Sequence, residues 1–586
     1  MNAKSIKFKE DINNIQMIDI NKTILNYLKL AITICIITDE EKYLKKYMPE
    51  IINIIYKIDF AHFNYFIDNK QNKENNALIE ENIQIYFGLL YKFLKEVNIN
   101  KVGIIIPQLI ISYLNEKTYL YYFSIELLAS YAKKNIHLIS YLLSSFLNVP
   151  EITESNNNFI DIYKKGKEFI NCIKEKLDKK SKDILNGYEE FSLKLCNLYF
   201  EINKISSLIA IEQKIKKDIL INEVNKTLKK NLIILPTIDN INEYKSSTII
   251  SDKVLFLDEL STEINILSSK QKPIHIRFKT RNISNDFDSK KYYGFLLKCD
   301  PEDIANEIRT FEIIEEINDI FKINHNDSVE SMSLKRYLIV RISSTIILVE
   351  WLNDCLTFLS IIKEQSKKDL IFNEEYKNII HNKNNKQYIY PGAISKEDEK
   401  FNILYNYYQY NFLNPNKWYN SKKKYIISMA IWSMIQFLLG LGDRHPDNIM
   451  INKIDGEVTH IDFAYAVKKG LFLKVPEIVD FRLTFNLKKN LGIFEENGLF
   501  NYICVKVLKI FKEYYKSLRA MIEYYKFDPF LRNKNDKNIL VLFEQNDKFF
   551  NLLDINNVKI KLKELIVKNT NPENLEKMYV WWEPWA

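Results

Sequence analysis

The sequence predicts an α+β chain in which an all-α run of helical hairpins precedes a part built from short strands and helices. Three observations predict it. Only four of the twelve glycines (88, 103, 166, 187) precede residue 290, whereas eight fall between 294 and 498. In NIHLISYLLSSFL, Ile136, Ile139, Leu143 and Leu147 recur at three- and four-residue steps, the period of a helix face. From about Leu232 the pattern changes, and PIHIRFK alternates as a strand does.

The elements follow in order. Asn148-Val149-Pro150 stops the first helical run, and 151–235 holds no proline, which predicts long helices near Lys164–Leu177 and Ser181–Ile211. No strict short repeat is present, so the reading is a degenerate stack of hairpins. ILPTIDNI and VLFLDEL give short apolar runs, and YYGFLLK reads as a further strand. Tyr337–Ile342 and Ile346–Glu350 are β-rich and joined by Ser343-Ser344-Thr345, a hairpin signal. Residues 364–400 are polar and rich in Asn and Lys, which predicts a loosely ordered insertion.

Composition narrows the function. At 586 residues the chain holds two to four domains, and 47% apolar residues suffice for sizeable cores. A balance of 83 basic against 75 acidic side chains gives +8, too little to argue for a nucleic-acid or membrane surface. Six scattered cysteines without CxxC spacing and seven unclustered histidines point to a reduced intracellular protein without structural zinc. No apolar run reaches 18 residues, and the opening MNAKSIKFKED lacks the core of a signal peptide, so neither a transmembrane helix nor a leader is expected.

Most of the functional information lies in LGLGDRHPDNIMINKIDGEVTHIDF (439–463). Asp443 is followed five positions on by Asn448, an Asp455-Gly456 turn doubles the chain back, and Asp462-Phe463 ends the return. Phosphoryl transfer needs parts in this order: a carboxylate to accept the hydroxyl proton, an amide oxygen for a metal, and a hairpin returning a second metal-binding carboxylate.

DRHPDN with HIDF resembles the phosphatidylinositol 3-kinase-related protein kinases (PIKKs), in which DRH replaces the HRD of ordinary protein kinases. The resemblance implies a bilobal kinase domain, with an N-lobe over 232–352 and a C-lobe over 353–552 that holds the polar insertion. IIPQLIISYLNEKTYLYYFSIELLASYAKKNIHLISYLLSSF (105–146) is similar to the FAT helices that precede such kinases, which implies a FAT-like region over 1–231. IKLKELIVKNTNPENLEKMYVWWEPWA resembles the FATC tail, placed at 555–586, with Trp581 where the family has glycine.

Residue roles follow from the same resemblance. Asp443 is the proton acceptor, His445 a donor toward the transferring phosphoryl group, and Asn448 and Asp462 the Mg²⁺ ligands, with Mn²⁺ as a substitute ion. Asp447 holds a position that varies in the family. Ser268 and Ser269 in SSKQKP resemble the phosphate loop, and Lys298 is the cation on the ATP phosphates. Asp303-Ile-Ala-Asn-Glu307 looks like the family's DLRQD motif, with Ala305-Asn306 in place of Arg-Gln. Glu302 is then the expected partner of Lys298, with Asp300 and Asp303 as competitors. Tyr337 resembles the inner-pocket tyrosine, and Glu350-Trp351 the hinge that holds adenine. DFAYAVKKGLFLKVPEIVDFRLT (462–484) resembles the activation loop, with Ala464 for the usual glycine and Asp480 for a proline of the ATR-type kinases.

The implied activity is that of an ATR-like Ser/Thr kinase acting on protein substrates at Ser or Thr followed by Gln. Checkpoint signalling in the nucleus, a regulatory partner subunit, and contact with single-stranded DNA through partners are implied with it. A TOR-type growth kinase is the alternative: HPDN is nearer to that pattern, although the region before Leu232 lacks a Trp-rich four-helix insertion. Lys468, Lys469 and Lys474 make a lipid kinase thinkable, and Ala305, Ala464 and Trp581 a pseudokinase scaffold. Only about 230 residues precede the kinase domain, so the chain is expected to be a fragment or a reduced form of a longer PIKK.

Overall fold

The computed structural model describes residues 27, 30–35, 40–68, 88, 92, 105–114, 119–144, 146, 157–205, 210–246, 252–267, 269, 271–283, 292–300, 304–324, 332–368, 402–523, 528, 531, 536–554 and 556–578. It divides into two compact units. The first comprises Met1–Ser140, Asn156–Leu185 and Lys516–Pro529; the second comprises Tyr141–Ser155, Asn186–Tyr515 and Phe530–Ala586.

Helices make up the described part of the first unit. Helix α1 (Glu41–Asp68) buries Leu44, Met48, Ile51, Ile52 and Ile55, one face at helical spacing. It contains Pro49, whose carbonyl accepts the Gln108 side-chain amide at 3.3 Å from α2 (Ile106–Leu114). Helix α3 (Tyr119–Ser144) kinks at Asn135 (φ −126°, ψ 45°), so the apolar run from Ile136 is the second half of a bent helix. Helix α4 is Asn157–Glu175. Helix α5 (Lys179–Ile205) is capped by Asp178, whose carboxylate accepts the Ser181 amide at 2.8 Å. The expected helix to Ile211 is described only to Ile205; 206–209 lie outside the described residues, and α6 (Ala210–Lys230) follows.

In the second unit, side-chain amides tie helices to the first strand. Asn225 of α6 accepts the Leu260 N–H at 2.7 Å, and Asn240 of α7 (Ile238–Ser246) accepts that of Leu255 at 2.8 Å. Strands β1 (Phe256–Leu260), β2 (Asn265–Ile266), β3 (Ile274–Arg281), β4 (Tyr293–Cys299), β5 (Ile339–Arg341) and β6 (Ile346–Glu350) form one antiparallel sheet. Its order is β1-β3-β4-β6-β5, with β2 beside β3. VLFLDEL, PIHIRFK, YYGFLLK, 337–342 and 346–350 account for five of the six strands. The sixth, β2, is two exposed residues, too short to show alternation. The 343–345 turn is as expected: the Ser343 hydroxyl accepts the amides of Thr345 and Ile346. Helix α8 (Ile304–Ile323) follows β4 and carries Glu307 in its first turn.

A second antiparallel sheet, β7 (Cys355–Thr357), β8 (Ile449–Asn452) and β9 (Val458–His460), follows the first. Helix α9 (Phe358–Lys368) leads into 369–400, where the polar insertion falls outside the described residues. After α10 (Ile403–Asn411), helix α11 (Pro415–Leu439) starts where the Asn414 side chain accepts the amides of Asn416 and Lys417. It is buried almost all round from Ile427 to Leu439 and ends at Gly440 in the left-handed region (φ 57°). Trp432 donates its indole N–H to Val458 O (3.1 Å) and stacks on His460 and Phe463. That contact fixes the β8–β9 hairpin, turned at Gly456 (φ 73°), against the helix. Helices α12 (Phe485–Lys489), α13 (Leu499–Glu523), α14 (Asp536–Leu552), α15 (Val558–Thr570) and α16 (Pro572–Glu576) complete the described chain.

Candidate active site

Lys298 lies near the end of β4, paired with Ile347 of β6. Its ammonium is 3.0 Å from Glu307 and 3.5 Å from Asp462. Burial disfavours its charge, but the two carboxylates outweigh that and raise its pKa. Asp462 is affected in the opposite sense: burial would raise it, and Lys298 with Arg444 pulls it below the ordinary range. Burial raises Glu307 against the pull of Lys298. The expected partner, Glu302, and its competitor Asp303 lie outside the described residues. The carboxylate beside the lysine is Glu307, the last residue of the DLRQD-like motif, because the first turn of α8 turns it inward. Asp300, the other competitor, accepts a hydrogen bond from the Gln271 side chain.

Asp443 has φ 58° and Asp462 φ 59°, left-handed conformations that non-glycine residues adopt at a cost. The Asn448 side-chain N–H donates to Asp443 O at 2.8 Å, which directs its amide nitrogen inward to the loop. Arg444, 2% exposed, binds the loop to the returning strand: it donates to Gly442 O (2.7 Å), Ile461 O (2.8 Å) and Asp462 O. Glu477 accepts the Asp443 N–H with both carboxylate oxygens, at 2.9 and 3.0 Å. Burial raises the Asp443 carboxyl to about 7, with Arg444 opposing and Asp462 and Glu477 adding to the rise. His445 Nδ1 accepts the Asp447 amide at 3.2 Å, which assigns the proton of the neutral ring to Nε2, 3.9 Å from Asp443 Oδ1. Burial, then Arg444, lowers its pKa to about 4, so the ring is neutral at pH 7. Asp447 accepts the Thr357 hydroxyl at 3.0 Å.

The residues expected on the nucleotide side fare differently. Ser268 lies outside the described residues, and Ser269 is exposed in the β2–β3 turn, where its carbonyl accepts the Lys272 amide. Tyr337 is buried between Phe311 and Phe463, and its hydroxyl has no hydrogen-bond partner among the described residues. Trp351 is 36% exposed, packs on the His275 ring at 4.6 Å, and donates its main-chain N–H to Gly294 O. At the expected hinge, Glu350 pairs with Phe295 of β4, and its main-chain N–H donates to Leu338 O at 2.8 Å. One oxygen of its carboxylate accepts the amides of Ile238 (3.0 Å) and Leu338 (2.9 Å), so the side chain fastens β6 to its neighbours.

This donor set suits a nucleotide and a hard cation. An amide (Asn448) and a carboxylate (Asp462) could supply oxygen ligands, a protonated lysine stands beside Asp462, and the buried Tyr337 hydroxyl has no partner among the described residues. Residues 292–535 match the family described as phosphatidylinositol 3- and 4-kinase. That stretch is similar to a phosphatidylinositol 3- and 4-kinase domain. The phosphatidylinositol 3- and 4-kinase match takes in Lys298, Glu307, Asp443, Asn448 and Asp462. The chain is 26% identical over 373 residues to the serine/threonine-protein kinase ATR of Arabidopsis thaliana, covering 59% of this chain and 13% of that protein. It is 27% identical over 336 residues to the target of rapamycin homolog of Caenorhabditis elegans, covering 52% and 12%. The FAT and kinase domain of CtTel1 superposes with a TM-score of 0.71 over 100% of this chain and 39% of that one, at 17% identity. The fold is therefore the α+β PIKK fold, and the chain spans about an eighth of the length of the curated relatives it matches.

Three residues of this kinase site escaped the sequence reading. Glu307 was legible as the fifth position of a motif already recognised. Arg444 lies inside DRH, where a charged residue next to Asp443 gives no sign of burial. Glu477 has no local signal, since its partner is 34 residues away.

Proposed function

We propose that this chain is an ATR-like Ser/Thr protein kinase, transferring the γ-phosphate of ATP to Ser or Thr followed by Gln. The observation that carries the reading is that Arg444 ties the Asp443–Asn448 loop to Asp462, whose carboxylate is 3.5 Å from the Lys298 ammonium. Asp443 receives the proton of the substrate hydroxyl. Its carboxyl near 7 matches the working pH, and its conformation is fixed by Glu477. His445, neutral with its proton on Nε2, donates toward the phosphoryl oxygens. Lys298, held charged by Glu307, binds the α- and β-phosphates, with Ser268 and Ser269 supplying the phosphate loop. Trp351 provides the face for adenine and Tyr337 closes the inner end. Asn448 and Asp462 hold Mg²⁺, which when bound neutralises charge on the β- and γ-phosphates.

ATR-type relatives, the VPEIVDFRLT segment and the FATC-like tail support a nuclear checkpoint role on protein substrates, with a partner subunit bringing the kinase to single-stranded DNA. A TOR-type growth kinase is the second reading, favoured by HPDN and by target of rapamycin relatives at equal identity. No described helix is long and apolar enough to cross a membrane.

The test offers purified protein and Mg-ATP three acceptors: peptides with Ser-Gln, peptides with Ser-Pro, and phosphoinositide vesicles. Ser-Gln transfer is expected, lost by at least ~10³-fold in Asp443→Asn and Asp462→Asn while their circular dichroism is unchanged. Preference for Ser-Pro would move the reading to the growth kinase. Transfer only to vesicles would make it a lipid kinase, and ATP binding without transfer would make it a scaffold.

A further inference from the structure

The segment from Glu477 to Arg482 is held at several points. At its start, Glu477 accepts the Asp443 amide with both oxygens. It stands in space that only glycines leave: a Cβ at Gly442 or Gly470 would come within 2.1 or 2.2 Å of its Oε2. Ile478 and Val479 then pack on Leu575 and Met578. Asp480, 3% exposed, receives Lys468 Nζ at 2.6 Å, Lys568 Nζ at 2.7 Å and Gln545 Nε2 at 3.1 Å. The amides of Asp480 and Phe481 both donate to the Asn569 side-chain oxygen. Arg482 closes the segment by donating to Arg444 O at 2.9 Å.

The three donors on Asp480 come from three places: the start of the activation segment (Lys468), α14 (Gln545) and α15 (Lys568). Lys468 is itself tied to the end of α11, its amide donating to Gly440 O at 2.9 Å. One buried carboxylate therefore joins both ends of the activation segment to the last helices. Only two residues, Ile478 and Val479, separate it from Glu477, at most ~10 Å of chain. Neutralising it would leave Lys468, whose side chain is 9% exposed, without its countercharge.

We propose that Asp480 is a positioning residue for phosphoryl transfer, fixing the segment through which Glu477 orients Asp443. The inference deepens the reading of Asp443 as proton acceptor and rests on it. Asp480→Asn is expected to lower kcat at least tenfold with KM for ATP within twofold, since none of the groups bonded to Asp480 is bonded to Lys298 or to the Asp462 carboxylate. Hydrogen exchange at the Asp443 amide is expected to speed up at least tenfold. Lys568→Met acts in the same direction more weakly, because Lys468 and Gln545 remain. The double variant is no worse than Asp480→Asn alone, as for partners in one interaction. Lys561→Ala, at a half-exposed lysine on the same helix that pairs with Glu564 and not with Asp480, changes neither quantity.

A lowered melting temperature with unchanged kcat and unchanged Asp443 exchange, in Asp480→Asn or in Lys568→Met if the former does not fold, overturns the proposal. If the wild type phosphorylates none of the three acceptors, the kinase reading falls by itself. Exchange at the Asp443 amide then still decides whether Asp480 sets that loop.

Discussion

Arg444 shows how much of the site's order is main-chain hydrogen bonding. Its fork meets carbonyls from two loops at once, Gly442 on one side and Ile461 with Asp462 on the other. A lysine carries the same charge as a single point and cannot satisfy three acceptors set in that plane. Leaving a buried carbonyl unpaired costs about 1–3 kcal/mol. Arg444→Lys is therefore expected to lower kcat about 100-fold and to reduce the melting temperature by several degrees, measured by steady-state kinetics and calorimetry. Lys422 presents the opposite situation. It is buried, bonded to Asn490, and ringed by Tyr405, Tyr408 and Tyr425 at 5.2, 5.5 and 5.9 Å; burial lowers its pKa to about 7. Between pH 7 and 10 the unfolded chain binds a proton that the folded chain has shed, so this group adds stability as pH rises through that window. Denaturant midpoints should rise from pH 7 to 10 in the wild type and rise less in Lys422→Met. Equal slopes would show that the lysine is charged in the folded state.

At the scale of elements, Gly440 links the longest buried helix to the catalytic loop. It caps α11 with a left-handed backbone, and a Cβ there would sit 2.7 Å from the Lys468 amide nitrogen. Strain and clash both oppose a side chain, so Gly440→Ala should destabilise by about 1–3 kcal/mol, read from urea unfolding. It should also slow transfer, because Leu441 and Gly442 lead directly into Asp443. The same region shows what sequence could supply. Asp443, Asn448 and Asp462 fall in one continuous stretch, and a hairpin signal at Asp455-Gly456 was enough to bring them together. Lys298 was legible from a strand pattern followed by a recognisable motif. Glu307 was displaced by Glu302 because two acids near a helix start look alike until the helix phase is known. Glu350 read as a hinge residue because it adjoins Trp351; that its carboxylate also accepts amides at Ile238 and Leu338, one of them 112 residues away, was not legible. Such a pairing leaves no local trace. Two-residue strands such as β2 leave none either.

For the molecule as a whole, α6 and the end of α5 are bonded to the sheet of the second unit. Helix α5 sends the Tyr199 hydroxyl to Gln271 O at 2.6 Å, in the turn between β2 and β3 where the phosphate loop is expected. Helix α6 satisfies the main chain of Leu260 through Asn225, and the Leu228 carbonyl accepts the Arg281 guanidinium at 3.0 Å. A kinase domain beginning at residue 232, where strand patterning starts, would leave those groups of β1 and β3 without their partners. Each unsatisfied buried group costs about 1–3 kcal/mol, and α6 also covers apolar surface through Val224 and Leu228. The sum is comparable to the whole stability of an ordinary domain, about 5–15 kcal/mol. A fragment starting at Leu232 should therefore aggregate, or melt at least ~10 °C below one starting at Lys179. Tyr199→Phe in the full chain should raise KM for ATP severalfold with kcat nearly unchanged. Equal melting temperatures for the two fragments would show that α5 and α6 only adjoin the kinase fold. A difference confined to KM in Tyr199→Phe would show that α5 holds the phosphate turn in place.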